Sequence, residues 1–336
     1  MGDDFCHLIS GQEYGPWGNL LYWRNSLNGS FSFYFLHGLT APLDTQAASV
    51  IVIVIIVAWT IGLAWWINAG HQLFGRYRPP LATVIVVAAA MVWLSVHGLI
   101  TPLSIYSYSS ATRHTLPIVI LSIAMAAGCA FAPRIQSIRR LALACAIFAL
   151  VVFVNAGMSE VFAAEQLPLF TILLPAVYAM TPPESRRNCL LLCRSGWVAT
   201  LAGLLVMATA PGVAIRLAGS DSSLNSPQAS PANLFPNTLE HLQSFFIDTE
   251  LNTAFIGMLV ITLAIMVTVR RSTQPKSIGE PFQLAAPPLL LCLIAQLLLV
   301  PLVWTNQSDN PLVFGRFNPA HLVAVCTQLL LLTSLS

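Results

Sequence analysis

The stretch Ala47 to Ala69, AASVIVIVIIVAWTIGLAWWINA, carries no charged residue, and a helix of about 20 apolar residues is what crosses the hydrocarbon core of a bilayer. Working outward, comparable runs recur at 80–100, 116–133, 141–157, 167–181, 195–211, 252–269, 284–304 and 319–336. The run at 167–181 is short by itself and is expected to begin further back, near Glu160. Prolines at 168, 175, 211, 287 and 288 mark kinks or ends, which membrane helices tolerate when neighbours satisfy the freed backbone groups. Composition points the same way, since 56% of the 336 residues are hydrophobic and 8% charged, where soluble domains carry about 25% charged residues. Mean hydropathy is +0.75. A soluble enzyme is excluded; the sequence reads as an all-α polytopic membrane protein, one transmembrane domain over 1–336 with about nine spans. A net charge of +2 is too balanced and sparse for a nucleic-acid partner.

Orientation follows from the loops, because Lys and Arg stay on the cytoplasmic side. Arg76, Arg78, Arg134, Arg139, Arg140, Arg186, Arg187, Arg194, Arg270, Arg271 and Lys276 fall in alternate loops, while the other loops hold eleven of the thirteen acids. Residues 1–46 therefore form an extracytoplasmic loop, and 212–251 a second, long one. An exported leader of that length needs a helix ahead of it, so the chain is expected to be a piece of a longer protein, and the apolar run ending at Leu335-Ser336 gives the same expectation at the other end. The aromatic stretch Asn19 to Pro42 reads as an interfacial helix or a pair of them.

The cysteines form no disulfide framework: Cys129, Cys145, Cys292 and Cys326 lie in apolar runs, and Cys189 and Cys193 beside arginines. There is no phosphate-binding glycine loop, dinucleotide fingerprint or His-Glu-x-x-His, and no metal site is expected, although the sequence leaves a divalent cation open. The histidines are scattered and read as packing residues. Asn28-Gly29-Ser30 and Asn306-Gln307-Ser308 match glycosylation acceptors, a triplet common by chance.

What stands out is four arginines on the disfavoured side, Arg24, Arg113, Arg216 and Arg316, one in each of four outer loops. Such a cation needs a local reason: an ion pair, a headgroup or a phosphate ligand. Adjacent carboxylates Asp3-Asp4 sit against Phe5, Cys6 and Leu8, where the membrane surface is expected to begin, a setting in which one member of such a pair can act as base. Glu160 follows Gly157-Met158-Ser159 at the mouth of a helical hairpin, where a helix cap by Ser159 and Glu160 explains it equally.

The Asp3-Asp4-Phe5-Cys6 start, Tyr22-Trp23 with Asn28-Gly29-Ser30-Phe31-Ser32, Gly157-x-x-Glu160 and Pro211-Gly212-x-x-x-Arg216 together resemble uncharacterised bacterial polytopic proteins of the GT-C glycosyltransferase superfamily, in which an acidic pair follows the first membrane helix. The similarity extends over most of the chain. It departs at Ser30, where relatives tend to carry Arg after Asn-Gly, which weakens a phosphate-binding role for that loop. The resemblance implies a GT-C-like bundle in the bacterial inner membrane and an inverting transferase. Its donor would be a polyprenyl-phosphate-linked sugar, its acceptor would lie on the outer side, and membrane lipids would be its other partners. It implies Asp3, Asp4 and Glu160 as catalytic candidates and Arg216, Arg316 and Arg113 as lipid-phosphate ligands. The competing classes are a lipid or polysaccharide transporter or flippase, disfavoured by nearly charge-free span centres, and a non-catalytic membrane assembly subunit.

Overall fold

A computed structural model of the chain describes residues 2–43, 45–74, 80–97 and 108–219. Every regular element among the described residues is helical: α1 Gly2–Ser26, α2 Phe31–Thr40, α3 Thr45–Phe74, α4 Leu81–His97, α5 Tyr108–Arg134, α6 Ile138–Ala156, α7 Glu160–Met180, α8 Pro183–Ala208 and α9 Pro211–Gly219. Within α5 lie a π-helical turn, Ala111–Thr115, and a closing 3₁₀ turn, Ala132–Arg134. Ser49–Gly70 of α3, and α5, α6 and α8, are long and apolar enough to cross a membrane; Leu81–Trp93 and Phe162–Pro175 are shorter apolar helices.

Side-chain burial explains why this is a membrane protein rather than an apolar soluble one. On α3, Ile55, Trp59, Leu63 and Trp66 are buried, while Ile53, Val57 and Ile61 on the other stripe are exposed, Ile61 at 64%. On α6, Leu143, Ile147 and Leu150 repeat the outward apolar stripe. A helix that is apolar all round but buried on one side only needs lipid on the other.

The first six sequence runs coincide with α3 to α8, and α7 begins at Glu160 as its length requires. Two helices start well before their apolar runs, α5 at Tyr108 and α8 at Pro183. Hydropathy marks only the part in hydrocarbon. α8 opens on a proline at its first position, where no intrahelical N–H is needed, and runs its arginines along one side while Cys189 and Leu192 are buried. Pro168 and Pro175 lie inside α7, and Pro211 opens α9. The loop expected over 212–251 thus begins as helix; its remainder and the runs 252–269, 284–304 and 319–336 lie outside the described residues.

α3 packs on α4 and α5, α8 on α6 and α7, and α1 on α2. A polar clamp ties the second group: Asn155 Nδ2 donates to Gln166 Oε1 at 2.9 Å, and Gln166 Nε2 to Thr200 Oγ1 at 2.6 Å. Interhelical bonds of this kind contribute about 0.6 kcal/mol each in lipid. An apolar cavity of about 50 Å³ lies among α3, α5, α6, α7 and α8, lined by Trp66, Met125, Cys129, Phe148, Cys189 and Cys193 among others. At one end of the bundle, Asn188 Nδ2 donates to Ala132 O and Ile135 O, both at 2.9 Å. That bond joins the α5–α6 and α7–α8 turns, so Arg134, Arg139, Arg140, Arg186 and Arg187 gather at one end.

Candidate functional site

At the opposite end of the bundle, the N-terminal pair of helices docks on the spans. α1 bends at Gly15, whose φ of 67° lies in the left-handed region, followed by Pro16. Helices were expected over Asn19 to Pro42; the first of the pair begins much earlier, at Gly2, and the pair exposes Tyr14, Trp17, Leu21 and Tyr22. Exposed Tyr14 has its phenol pKa raised by the neighbouring Glu13 carboxylate.

The loop from α1 to α2 makes the docking contacts. Gly29 N donates to Glu160 Oε1 at 3.3 Å, and Ser32 N donates to Gly157 O at 3.0 Å. Gly29 is pressed so closely on α8 that a Cβ there would sit 2.4 Å from the Cα and the carbonyl oxygen of Met207. A Cβ on Gly212 would meet Leu27 N at 2.5 Å. Arg24, on the last turn of α1, donates from Nη2 to Val206 O at 3.4 Å, near the end of α8. A cation at a helix C-terminus is favoured, which gives Arg24 a local partner. Three of the four motifs scattered along the sequence therefore meet, Asn28-Gly29-Ser30 touching Gly157-x-x-Glu160 directly and Pro211-Gly212 abutting the end of α1, while Asp3-Asp4 lies in the first turn of α1.

Glu160 begins α7, but Ser159 makes no side-chain cap. The expected Ser159 cap is replaced by a contact across the chain, with the Glu160 carboxylate facing a loop amide instead. Asn28 is buried, and its Oδ1 accepts from Ser30 N at 3.1 Å; this triplet serves as a turn and is closed to modification. Asn306 lies outside the described residues.

A second cluster joins α1, α2 and α5. His37 Nε2 and Thr112 Oγ1 lie 2.9 Å apart; the Thr112 hydroxyl donates to Tyr108 O at 2.8 Å, so the imidazole is the donor to Thr112. Thr40 and Tyr108 hydroxyls are hydrogen-bonded. The Arg113 guanidinium stands 5.5 Å from the Phe33 ring centroid, and its Nε is buried without a hydrogen-bond partner. Arg113 thus sits on an aromatic face and is carried by the π turn, an irregularity frequent at functional sites.

Burial lowers the His37 pKa to about 3, helped by His7 and Arg113. His37 is therefore neutral in the folded protein and ordinary, near 6.5, once unfolded. Its contribution is whole above pH ~6.5 and is lost as pH falls toward 3, because only the unfolded chain takes up the proton. Thermal unfolding should show melting temperature falling between pH 6.5 and 4, and a His37→Gln variant should lose part of that slope.

Of the sequence candidates, Glu160 and Arg113 have described side chains at this end of the bundle. Asp3, Asp4 and Arg216 are placed by their backbones in α1 and α9, and Arg316 lies outside the described residues. Sequence reasoning passed over His7, Asn19 and Thr112, all buried polar residues here. Among the described residues no three His, Cys, Asp or Glu are grouped to hold a metal ion. Comparison with protein-family models, curated proteins and solved structures finds no match to this chain.

Proposed function

We propose that this membrane protein is an inverting glycosyltransferase of the GT-C type, moving a sugar from a polyprenyl-phosphate donor to an acceptor on the extracytoplasmic side. In this proposal the bundle has about nine spans in a bacterial inner membrane. The observation that supports it best is the meeting of the Asn28–Ser32 loop, Gly157–Glu160 and Gly212 at the end opposite the arginine turns. Asp3 or Asp4 takes the acceptor hydroxyl proton as its oxygen attacks the anomeric carbon, and the sugar–phosphate bond breaks to release polyprenyl phosphate. Guanidinium groups of Arg216, Arg316 and Arg113 stabilise the charge that develops on that phosphate. Glu160, engaged with Gly29, holds the loop in place and leaves the base to the acidic pair.

The test is chemical. Protein purified in mild detergent should release polyprenyl phosphate on solvent extraction, read by mass spectrometry. No such lipid, together with no transfer from any polyprenyl-phosphate sugar, would end the proposal. Orientation is checked separately with single cysteines at two exposed positions: Ser26→Cys should react with an impermeant maleimide from outside and Gln136→Cys only after the membrane is opened. Labelling of both from one side would refute the topology.

A further inference from the structure

The arginine end of the bundle holds cations where helix geometry disfavours them. α6 and α8 pack side by side and both begin there, each with two consecutive arginines in or just past its first turn, Arg139-Arg140 and Arg186-Arg187. The N-terminus of a helix is partially positive and favours anions. Yet the first turn of α6 has no acid, that of α8 has only Glu184, and neither helix has a side-chain N-cap. Among the described residues none of these four arginines is ion-paired.

Two further observations point to what is held there. The first is polar. Arg186 Nε donates to Thr181 O at 3.3 Å and its guanidinium stands 5.1 Å from the Tyr178 ring centroid, which fixes at the α7–α8 turn two Nη groups that have no protein acceptor among the described residues. At the same turn Thr181 is 1% exposed, and its hydroxyl has no hydrogen-bond partner. A guanidinium fork, an unsatisfied hydroxyl and a helix N-terminus together make a donor set for phosphate. The second is apolar. The cavity of about 50 Å³ lies close beneath: Val177 on its wall is one turn before Thr181, Cys189 follows Asn188, and Cys129 is five residues before Arg134. That volume exceeds the ~10–15 Å³ a single water needs, but a water also needs polar partners, and Trp66, Phe148 and Cys193 offer hydrocarbon a better wall.

We infer that this end of the bundle binds an anionic phospholipid of the adjoining leaflet, its phosphate on Arg186, Arg187 and the Thr181 hydroxyl and one acyl chain in the cavity lined by Trp66, Cys129 and Cys193. A phosphate with a chain attached uses both halves of the site. A free phosphate leaves the cavity empty, and a neutral lipid leaves the arginines uncompensated at two helix N-termini. The site lies at the end opposite the Gly29–Glu160 contact and does not rest on the transferase reading.

The experiment is photo-crosslinking of the full chain in phosphatidylcholine nanodiscs doped with a lipid that carries a diazirine in mid-chain, on phosphatidylglycerol in one sample and on phosphatidylcholine in the other. Crosslinked peptides are mapped by mass spectrometry. Phosphatidylglycerol should label the cavity residues around Cys129 and Cys193 about tenfold more than phosphatidylcholine does, while both label the outward stripe of Ile147 and Leu150 equally. Arg186→Gln/Arg187→Gln should abolish that preference at the cavity and leave the outward stripe unchanged, with Arg134, Arg139 and Arg140 still present to hold orientation. Gly128→Leu adds its first atom 3.8 Å from Phe148, and should fill the cavity and remove its label. Equal cavity labelling by the two lipids, or none by either, overturns the inference. So does a melting temperature raised by inorganic phosphate over an unlabelled cavity, which would assign the arginines to a free anion. If the double Gln variant does not fold, the comparison of the two lipids on the parent decides.

Discussion

Asp4→Asn is expected to lower sugar transfer by about 10²-fold or more, the scale of losing general-base help, with membrane insertion unchanged. The substitution preserves shape and most hydrogen bonding while removing the charge that accepts the acceptor's proton. Asp3 stands beside it in the first turns of α1 and substitutes in part, so Asp3→Asn/Asp4→Asn is the decisive variant. Glu160 does not compensate, because its carboxylate already receives the Gly29 amide. Initial rates with a polyprenyl-phosphate sugar, normalised to protein in the membrane, give the measurement. Full transfer by the double variant would remove the acidic pair from the chemistry.

Gly29→Val is expected to detach the N-terminal helices from the spans. The first atom of any side chain at that position would meet Met207 backbone atoms at 2.4 Å, and backbone of a packed helix does not yield as the tip of a flexible side chain does. Overpacking costs about 1–3 kcal/mol, and here the loop also withdraws its amide from the Glu160 carboxylate, a charge-assisted bond of about 1.5–3 kcal/mol. The melting temperature in detergent should fall clearly, and the α1–α2 segment should become sensitive to protease while the spans stay protected. Glu160→Gln, which keeps the shape, should lower it less. A Gly29→Val protein that melts like the parent and resists protease would mean that the docking contact is unimportant.

The fate of particular residues shows what was legible. The six apolar runs between 47 and 211 were visible because hydropathy is a local property, and burial in α3 to α8 follows them. The helical starts at Tyr108 and Pro183 were not, since residues outside hydrocarbon carry no hydropathy signal and are kept helical by packing. Arg24 stood out as misplaced, yet its partner, the Val206 carbonyl, lies 182 residues away.

The sequence by itself determined that this is a helical membrane protein, where its first spans lie, and that its arginines fall in alternate turns. Each of these depends on the transfer of short segments between water and lipid, which neighbours hardly alter. Only the tertiary structure decided that Gly29 rests on Met207 and Glu160 faces a loop amide 131 residues away, and that His7 is enclosed by Trp23, Phe33, Tyr34 and His37. Those contacts depend on how the N-terminal pair of helices seats on α5, α7 and α8, and close packing of that kind is set by shape across the whole bundle rather than by any one stretch of chain.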